Sequence, residues 1–239
     1  MRKDMNMSAR DRLIVALDVD TQKEAEALVE KLSEFVGVFK VGPRLFTRCG
    51  PKIIDFVKEK NSRVFYDAKF YDIPSVVKKA AQASAEMGVD LLTLHTLGGS
   101  EMMEAAVEGI RSENSQVDVL GVTLLTSLSS RILKEELGIE RNLTEEIIHL
   151  AGLARKAGLD GVITSAWELE ELRRNFGSDF ILVVPGIRPL RSAKFEQRRV
   201  STPKEAIEKG ADFLVVGRPI LNSHDPVEIT KRILTEMNH

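Results

Sequence analysis

The residues of this chain best suited to chemistry are gathered in Asp67-Ala68-Lys69-Phe70-Tyr71-Asp72-Ile73-Pro74. Two carboxylates and an ammonium fall within this octapeptide, directly after Arg63-Val64-Phe65-Tyr66, which reads as a β-strand. Strand side chains alternate, so Asp67 and Lys69 are expected on one face. Asp72 then falls in the following loop, and Pro74 suits the first turn of the next helix. An ordinary buried strand would carry Val or Ile at these positions, because buried charge is costly unless paired. A cation held between fixed anions at the C-terminal end of a strand therefore points to electrostatic chemistry rather than to packing.

Positioning such a group requires a scaffold, and the chain alternates strand-like and helix-like segments throughout. Strands are expected at residues 13–17, 38–41, 63–69, 91–95, 117–125, 161–164, 180–184 and 213–216. Helices are expected at 21–35, 43–59, 74–87, 99–111, 143–157, 166–175, 203–209 and 219–236, with a short extra one inside the loop 127–141. Thr21 and Glu24 have capping-box spacing at the first of these. The strands are short, continuous and rich in Val, Ile and Leu, as expected when both faces are buried. Eight strand–helix units of roughly thirty residues each match an α/β fold, a single (β/α)8 TIM barrel over residues 11–239 after a loose tail at 1–10. A doubly wound open sheet is the alternative.

In a (β/α)8 barrel the active site lies at the C-terminal ends of the strands. That rule selects Asp18 after strand one, Lys40 on strand two, Asp67 and Lys69 on strand three, and Thr126-Ser127 beyond strand five. It also selects Pro185-Gly186-Ile187-Arg188 after strand seven and Gly217-Arg218 after strand eight. The last two loops often form a phosphate site. Gly217 admits an anion close to the backbone, and Arg188 and Arg218 supply the charge. Gln197, in the long loop between them, is placed to cap a ligand as that loop closes. Lys40 lies between Phe39 and Val41 in a buried-looking strand, so it needs an anionic partner, and Asp67 on the adjacent strand is the natural one. His95 reads as a structural hydrogen-bonder rather than a base, and Trp167 and Cys49 read as structural.

Composition removes several classes. The formal charge of −2 gives no attraction to nucleic acid or to an anionic membrane. The single cysteine, Cys49, allows no disulfide framework and no cysteine zinc cluster, and suggests a reducing, cytoplasmic setting. The polar N-terminus has no apolar core of a secretory signal, and no apolar run approaches a membrane span. His149, His224 and His239 are dispersed, with no metal spacing. Gly98-Gly99 lacks the dinucleotide-binding spacing, and no phosphate-binding loop or nucleophile elbow is present. The acids of the mouth are interleaved with lysines, which opposes divalent metal binding.

The octapeptide resembles the signature of the orotidine 5'-phosphate decarboxylase family. The likeness extends along essentially the whole chain, in the family's order and with the spacing of its bacterial branch. It includes Leu17-Asp18, Lys40-Val41-Gly42, Val122 to Ser127, Pro185 to Pro189, Gln197-Arg198-Arg199 and Val216 to Pro219. Tyr71 stands where histidine is most often expected, between catalytic positions. The resemblance implies decarboxylation of orotidine 5'-phosphate to UMP, the last step of de novo pyrimidine synthesis, without metal or other cofactor. It implies a charge array of Lys40, Asp67, Lys69 and Asp72, with Lys69 protonating C6. Asp72 belongs, on the same pattern, to the partner's site in a homodimer. Asp18 and Lys40 are implied at the ribose hydroxyls and Thr126 at the pyrimidine, with Ser127 in the substrate-binding set beside it. Pro185 is implied near the base, and Arg188, Gln197, Gly217 and Arg218 at the phosphate. Ile73 and Pro74 complete the implied substrate-binding set.

Two other readings stand beside this one. A magnesium-dependent 3-keto-gulonate-phosphate decarboxylase or hexulose-phosphate synthase also carries Asp-x-Lys-x-x-Asp on strand three. Ile73-Pro74, the Gln197 run and the Pro185 loop favour the nucleotide enzyme. A non-catalytic nucleotide-binding barrel would bind UMP without turnover, leaving the charge array without a purpose.

Overall fold

The computed structural model of the protein describes residues 7–113, 115–190 and 201–238. Among these, eight strands run parallel to their neighbours: β1 (Leu13–Ala16), β2 (Val38–Val41), β3 (Arg63–Phe70), β4 (Leu91–His95), β5 (Asp118–Val122), β6 (Gly161–Ile163), β7 (Ile181–Val184) and β8 (Phe213–Val216). They follow chain order around a closed barrel, and β8 returns to β1 with Leu13 opposite Leu214. That closure excludes the open doubly wound sheet. Helices α1 (Ala9–Arg12), α2 (Gln22–Leu32), α3 (Pro43–Cys49) and α4 (Lys52–Glu59) belong to the first half of the ring, followed by α5 (Pro74–Glu86) and α6 (Gly99–Arg111). The second half adds α7 (Leu143–Lys156), α8 (Leu169–Phe176), α9 (Pro203–Glu208), α10 (Arg218–Leu221) and α11 (Pro226–Met237).

Local chemistry explains most boundaries. Thr21 caps α2, and Glu24 returns the bond to the Thr21 backbone. Pro74 occupies the first turn of α5, where its missing N–H costs nothing. The single helix expected over 43–59 is instead two. Gly50 ends α3 at φ 61°, a backbone conformation that suits glycine, and Pro51 cannot extend a helix behind it. The fifth strand stops at Val122 rather than Leu125, because its partner β6 runs out at Ile163. Within the 127–141 segment the extra helical turn spans Ile132–Glu136.

Period-two alternation divides the strands between two cores. Outward residues such as Leu13, Val15, Phe39 and Val64 pack with the helices. Inward residues, among them Ile14, Ala16, Val38, Phe65, Leu91, Val183, Phe213 and Val215, fill the barrel. Continuing the inward rows two residues toward the C-terminal end reaches Asp18, Lys40, Asp67, Thr93, Pro185 and Gly217. The apolar plug is thus a floor on which a polar layer stands.

The opposite end of the barrel carries a device that the sequence reading missed. Asp90, Asp160 and Asp212 precede β4, β6 and β8, and each accepts the N–H of a residue on the preceding strand, Val64, Val119 and Leu182, at 2.8 Å. Arg173 closes on Asp212, and Arg12 donates to the carbonyls of Ala211 and Asp212. Charge at this end serves barrel closure, whereas charge at the other end faces a cavity.

Candidate active site

Asp67 is the centre of the polar layer. Its carboxylate receives Lys69 Nζ at 2.7 Å and Lys40 Nζ at 3.2 Å on one oxygen, and the Thr93 hydroxyl at 2.9 Å on the other. Lys40 also reaches Asp18 at 3.3 Å. The chain of charges Asp18–Lys40–Asp67–Lys69 therefore alternates in sign across three strands. Arg44 supports its outer end, donating to the Asp18 carbonyl at 2.8 Å while pairing with Asp20.

Electrostatics keep Lys40 and Asp67 ionised. Burial pushes the Lys40 ammonium down, but Asp67 and Asp18 more than reverse that and hold it above the usual lysine value. Burial likewise pushes the Asp67 carboxyl up, and Lys40, Lys69 and the Thr93 hydrogen bond outweigh it, leaving the carboxyl below its ordinary range. His95 is pushed down by burial and by the Lys69 charge, and its ring packs 5.9 Å from that of Tyr71.

Asp67 and Lys69 meet as expected, but not by plain strand alternation. The register between β3 and β4 slips between Tyr66 and Phe70, so that one residue of β4, Thr93, opposes three of β3, Asp67 to Lys69. Lys69 takes φ 52°, a left-handed conformation that costs a non-glycine residue about 1–2 kcal/mol. The bulge turns Lys69 in beside Asp67. Strain of this kind persists only where surrounding bonds hold it, and it collects at functional sites.

The array forms one wall of a cavity of about 250 Å³ at the C-terminal mouth. Asp18, Lys40, Asp67, Lys69, Thr126, Pro185, Arg188, Gly217 and Arg218 all line it. Apolar side chains to which the sequence assigned no site role, Val122, Leu124, Leu125, Ile163 and Ile187, add to the wall. Strand alternation was the available signal for Val122 and Ile163, which continue inward rows. Gly186, at φ 80°, turns the chain between Pro185 and Arg188. Arg188 is buried, and Ile187 bridges to Ser201. Burial and the neighbouring Arg218 both push the Arg188 guanidinium down. Two cations drawn together at one end of a cavity suit a multiply charged anion.

Four expected positions stand apart from this wall. Asp72 is exposed, with its carboxylate turned onto the Ile73 N–H at 2.7 Å. Ile73 is exposed and Pro74 begins α5, and Ser127 is exposed beyond the end of β5. Gln197 lies outside the described residues. Among the described residues no three His, Cys, Asp or Glu side chains gather as metal ligands. Both carboxylates facing the cavity are paired with ammonium groups, a donor set that repels a divalent ion.

Comparison with known proteins shows the family and the fold. The model of the family described as "Orotidine 5'-phosphate decarboxylase / HUMPS family" matches residues 11–233. The orotidine 5'-phosphate decarboxylase of Moorella thermoacetica is 44% identical over 238 residues, covering 98% of this chain and 94% of its own. That of Syntrophotalea carbinolica is 47% identical, covering 98% and 97%. The crystal structure of orotidine 5'-phosphate decarboxylase from Lactobacillus acidophilus superposes with a TM-score of 0.85 at 36% identity, over 95% of this chain and 99% of that one.

Proposed function

The chain belongs to the orotidine 5'-phosphate decarboxylase / HUMPS family, and from that premise we propose how its residues carry out the reaction. The protein is a carboxy-lyase that converts orotidine 5'-phosphate to UMP and CO2 in pyrimidine biosynthesis. The observation that carries the residue assignment is the charge array ending at Lys69, on a cavity wall with two arginines at its other end.

Breaking the C6–carboxylate bond leaves its electron pair on C6, in the plane of the ring, where the π-system cannot spread it fully. Fixed charge in a water-poor site is then the main source of stabilisation. Lys69 stands where that pair develops and donates an Nζ proton to C6, completing UMP; the neutral amine then regains a proton from solvent. Asp67 keeps Lys69 aimed through their ion pair, and Lys40 keeps Asp67 ionised. Asp18 and Lys40 hold the ribose hydroxyls, Thr126 contacts the pyrimidine, and Pro185 lies near the base. Arg188, Gly217 and Arg218, with Gln197, hold the phosphate, whose binding energy is available to organise the reacting end.

The working unit is a homodimer. Asp72 is flanked in the chain by the exposed apolar side chains Tyr71 and Ile73, and Val76 and Leu97 are exposed as well, apolar surface of the kind that a partner covers. In the dimer Asp72 enters the partner's site and adds a second anion beside its Lys69. Cys49 as the one cysteine fits a cytoplasmic protein. The test is an absorbance assay of EDTA-treated protein with orotidine 5'-phosphate. Loss of the substrate band with formation of UMP is expected; an unchanged spectrum would sink the reading.

A further inference from the structure

We propose that Thr93 is the positioning residue of the catalytic lysine, its hydroxyl holding the β3 bulge in the one conformation that aims Lys69. The inference rests on the reading of Lys69 as proton donor. Thr93 is fully buried in β4, two residues beyond Leu91 on the inward row. A buried hydroxyl at such a position needs partners, and Thr93 has two that belong to the reaction centre. It accepts the Lys69 backbone N–H at 3.0 Å and donates to Asp67 Oδ1 at 2.9 Å.

Both bonds fall where the ladder fails. Pairing between β3 and β4 is regular through Tyr66 opposite Leu92 and resumes only at Phe70 opposite Leu94, so Thr93 faces the bulge. With the ladder interrupted, the Lys69 N–H finds its acceptor in a side chain. That bond helps to retain the left-handed backbone of Lys69 at φ 52°. The second bond fixes the rotation of the Asp67 carboxylate, so that its other oxygen is the one offered to Lys69 and Lys40. One hydroxyl therefore orients the donor from its backbone and its counter-ion from the side chain. It is too deeply placed to be substituted by solvent.

The reasoning separates hydroxyl from volume. Thr93→Val keeps the shape and removes both bonds; Thr93→Ser keeps both bonds and loses a methyl group. Each is compared with the parent and with Lys69→Ala by kcat, KM, UMP affinity, melting temperature and the pH–rate profile. Thr93→Val is expected to lower kcat roughly 10- to 100-fold, with KM and UMP affinity within about threefold of the parent. The acid limb of its profile should move to higher pH, because Asp67 loses a bond that favours its ionised form. Thr93→Ser should recover most of the rate and the parental limb.

A merely structural role would lower the melting temperature and leave kcat per folded site and the acid limb in place, and that result overturns the proposal. Equal losses in the valine and serine variants overturn it too, since volume would then be the cause. If the valine variant does not fold, Thr93→Ala against Thr93→Ser reads the same difference: faster turnover with serine supports the proposal and equal rates refute it. Near-parental turnover in Lys69→Ala would instead remove the proton-donor reading, and this inference with it. Full activity in Thr93→Val with none in Lys69→Ala would remove the inference alone.

Discussion

Replacing Asp67 by Asn tests the charge array at its centre. The substitution preserves size and leaves a carbonyl for the Thr93 hydroxyl, but removes the anion shared by Lys69 at 2.7 Å and Lys40 at 3.2 Å. A hydrogen bond to a charged group contributes about 1.5–3 kcal/mol. The part assigned to Lys69 acts on its aim, so kcat should fall about 10- to 150-fold at roughly 1.4 kcal/mol per tenfold. The part assigned to Lys40 acts on folding. Removing one partner of a buried ion pair costs about 3–5 kcal/mol, and the remaining Asp18 contact at 3.3 Å places this case near the lower figure. For a chain of this size that corresponds to a fall in melting temperature of about 6–12 °C near neutral pH. The sign of its pH dependence follows from Asp67, whose folded-state carboxyl lies below the unfolded value. Its stabilisation is complete above the unfolded pKa near 3.9 and is lost as pH falls through the folded value. The gap between parent and variant should therefore be flat from pH 8 to about 5 and close below about 4. Stopped assays for kcat and thermal melts across pH measure both. A variant with kcat within about threefold of the parent and an unchanged melting temperature would refute the assignment of Asp67.

Arg218→Ala should raise KM for orotidine 5'-phosphate by about 10- to 150-fold, from the loss of one charge-assisted contact to phosphate, while turnover of the unphosphorylated nucleoside stays level. Equal effects on both substrates would take Arg218 away from the phosphate. Mixed subunits of Lys69→Ala and Asp72→Ala should regain activity that neither has alone, because one site of each hybrid dimer keeps both residues; no recovery after verified exchange argues against a shared site. At the base of the barrel, burial pushes the Asp118 carboxyl up to about 6. A raised carboxyl contributes its stability below the unfolded pKa near 3.9 and loses it as pH rises toward 6. Asp118→Asn should therefore gain in melting temperature on the parent across that window, and a constant difference between the two would contradict the shift.

Much of the site was legible because its information is local. Alternation with period two places Asp18, Lys40, Asp67, Pro185 and Gly217 one step above the apolar rows, and the rule for barrel mouths turns that step into a cavity wall. The Thr21–Glu24 cap and Pro74 at the head of α5 were likewise readable, because each is settled within one turn of chain. Other features depend on neighbours far away in sequence. The end of β5 was set by the length of β6, and the aspartates at the base act on backbone of the preceding strand. The single helix expected over 43–59 is divided for a local reason, Gly50-Pro51, which is written in the sequence itself.

Lys69 marks the division most sharply. Its type, its neighbours and its strand are all written in the octapeptide, and the charge array follows from them. Its backbone conformation does not, because alternation describes a regular ladder and the ladder between β3 and β4 is broken. Only the closed barrel, by setting Thr93 of β4 against the gap, decides that a strained residue is held and which way its ammonium points.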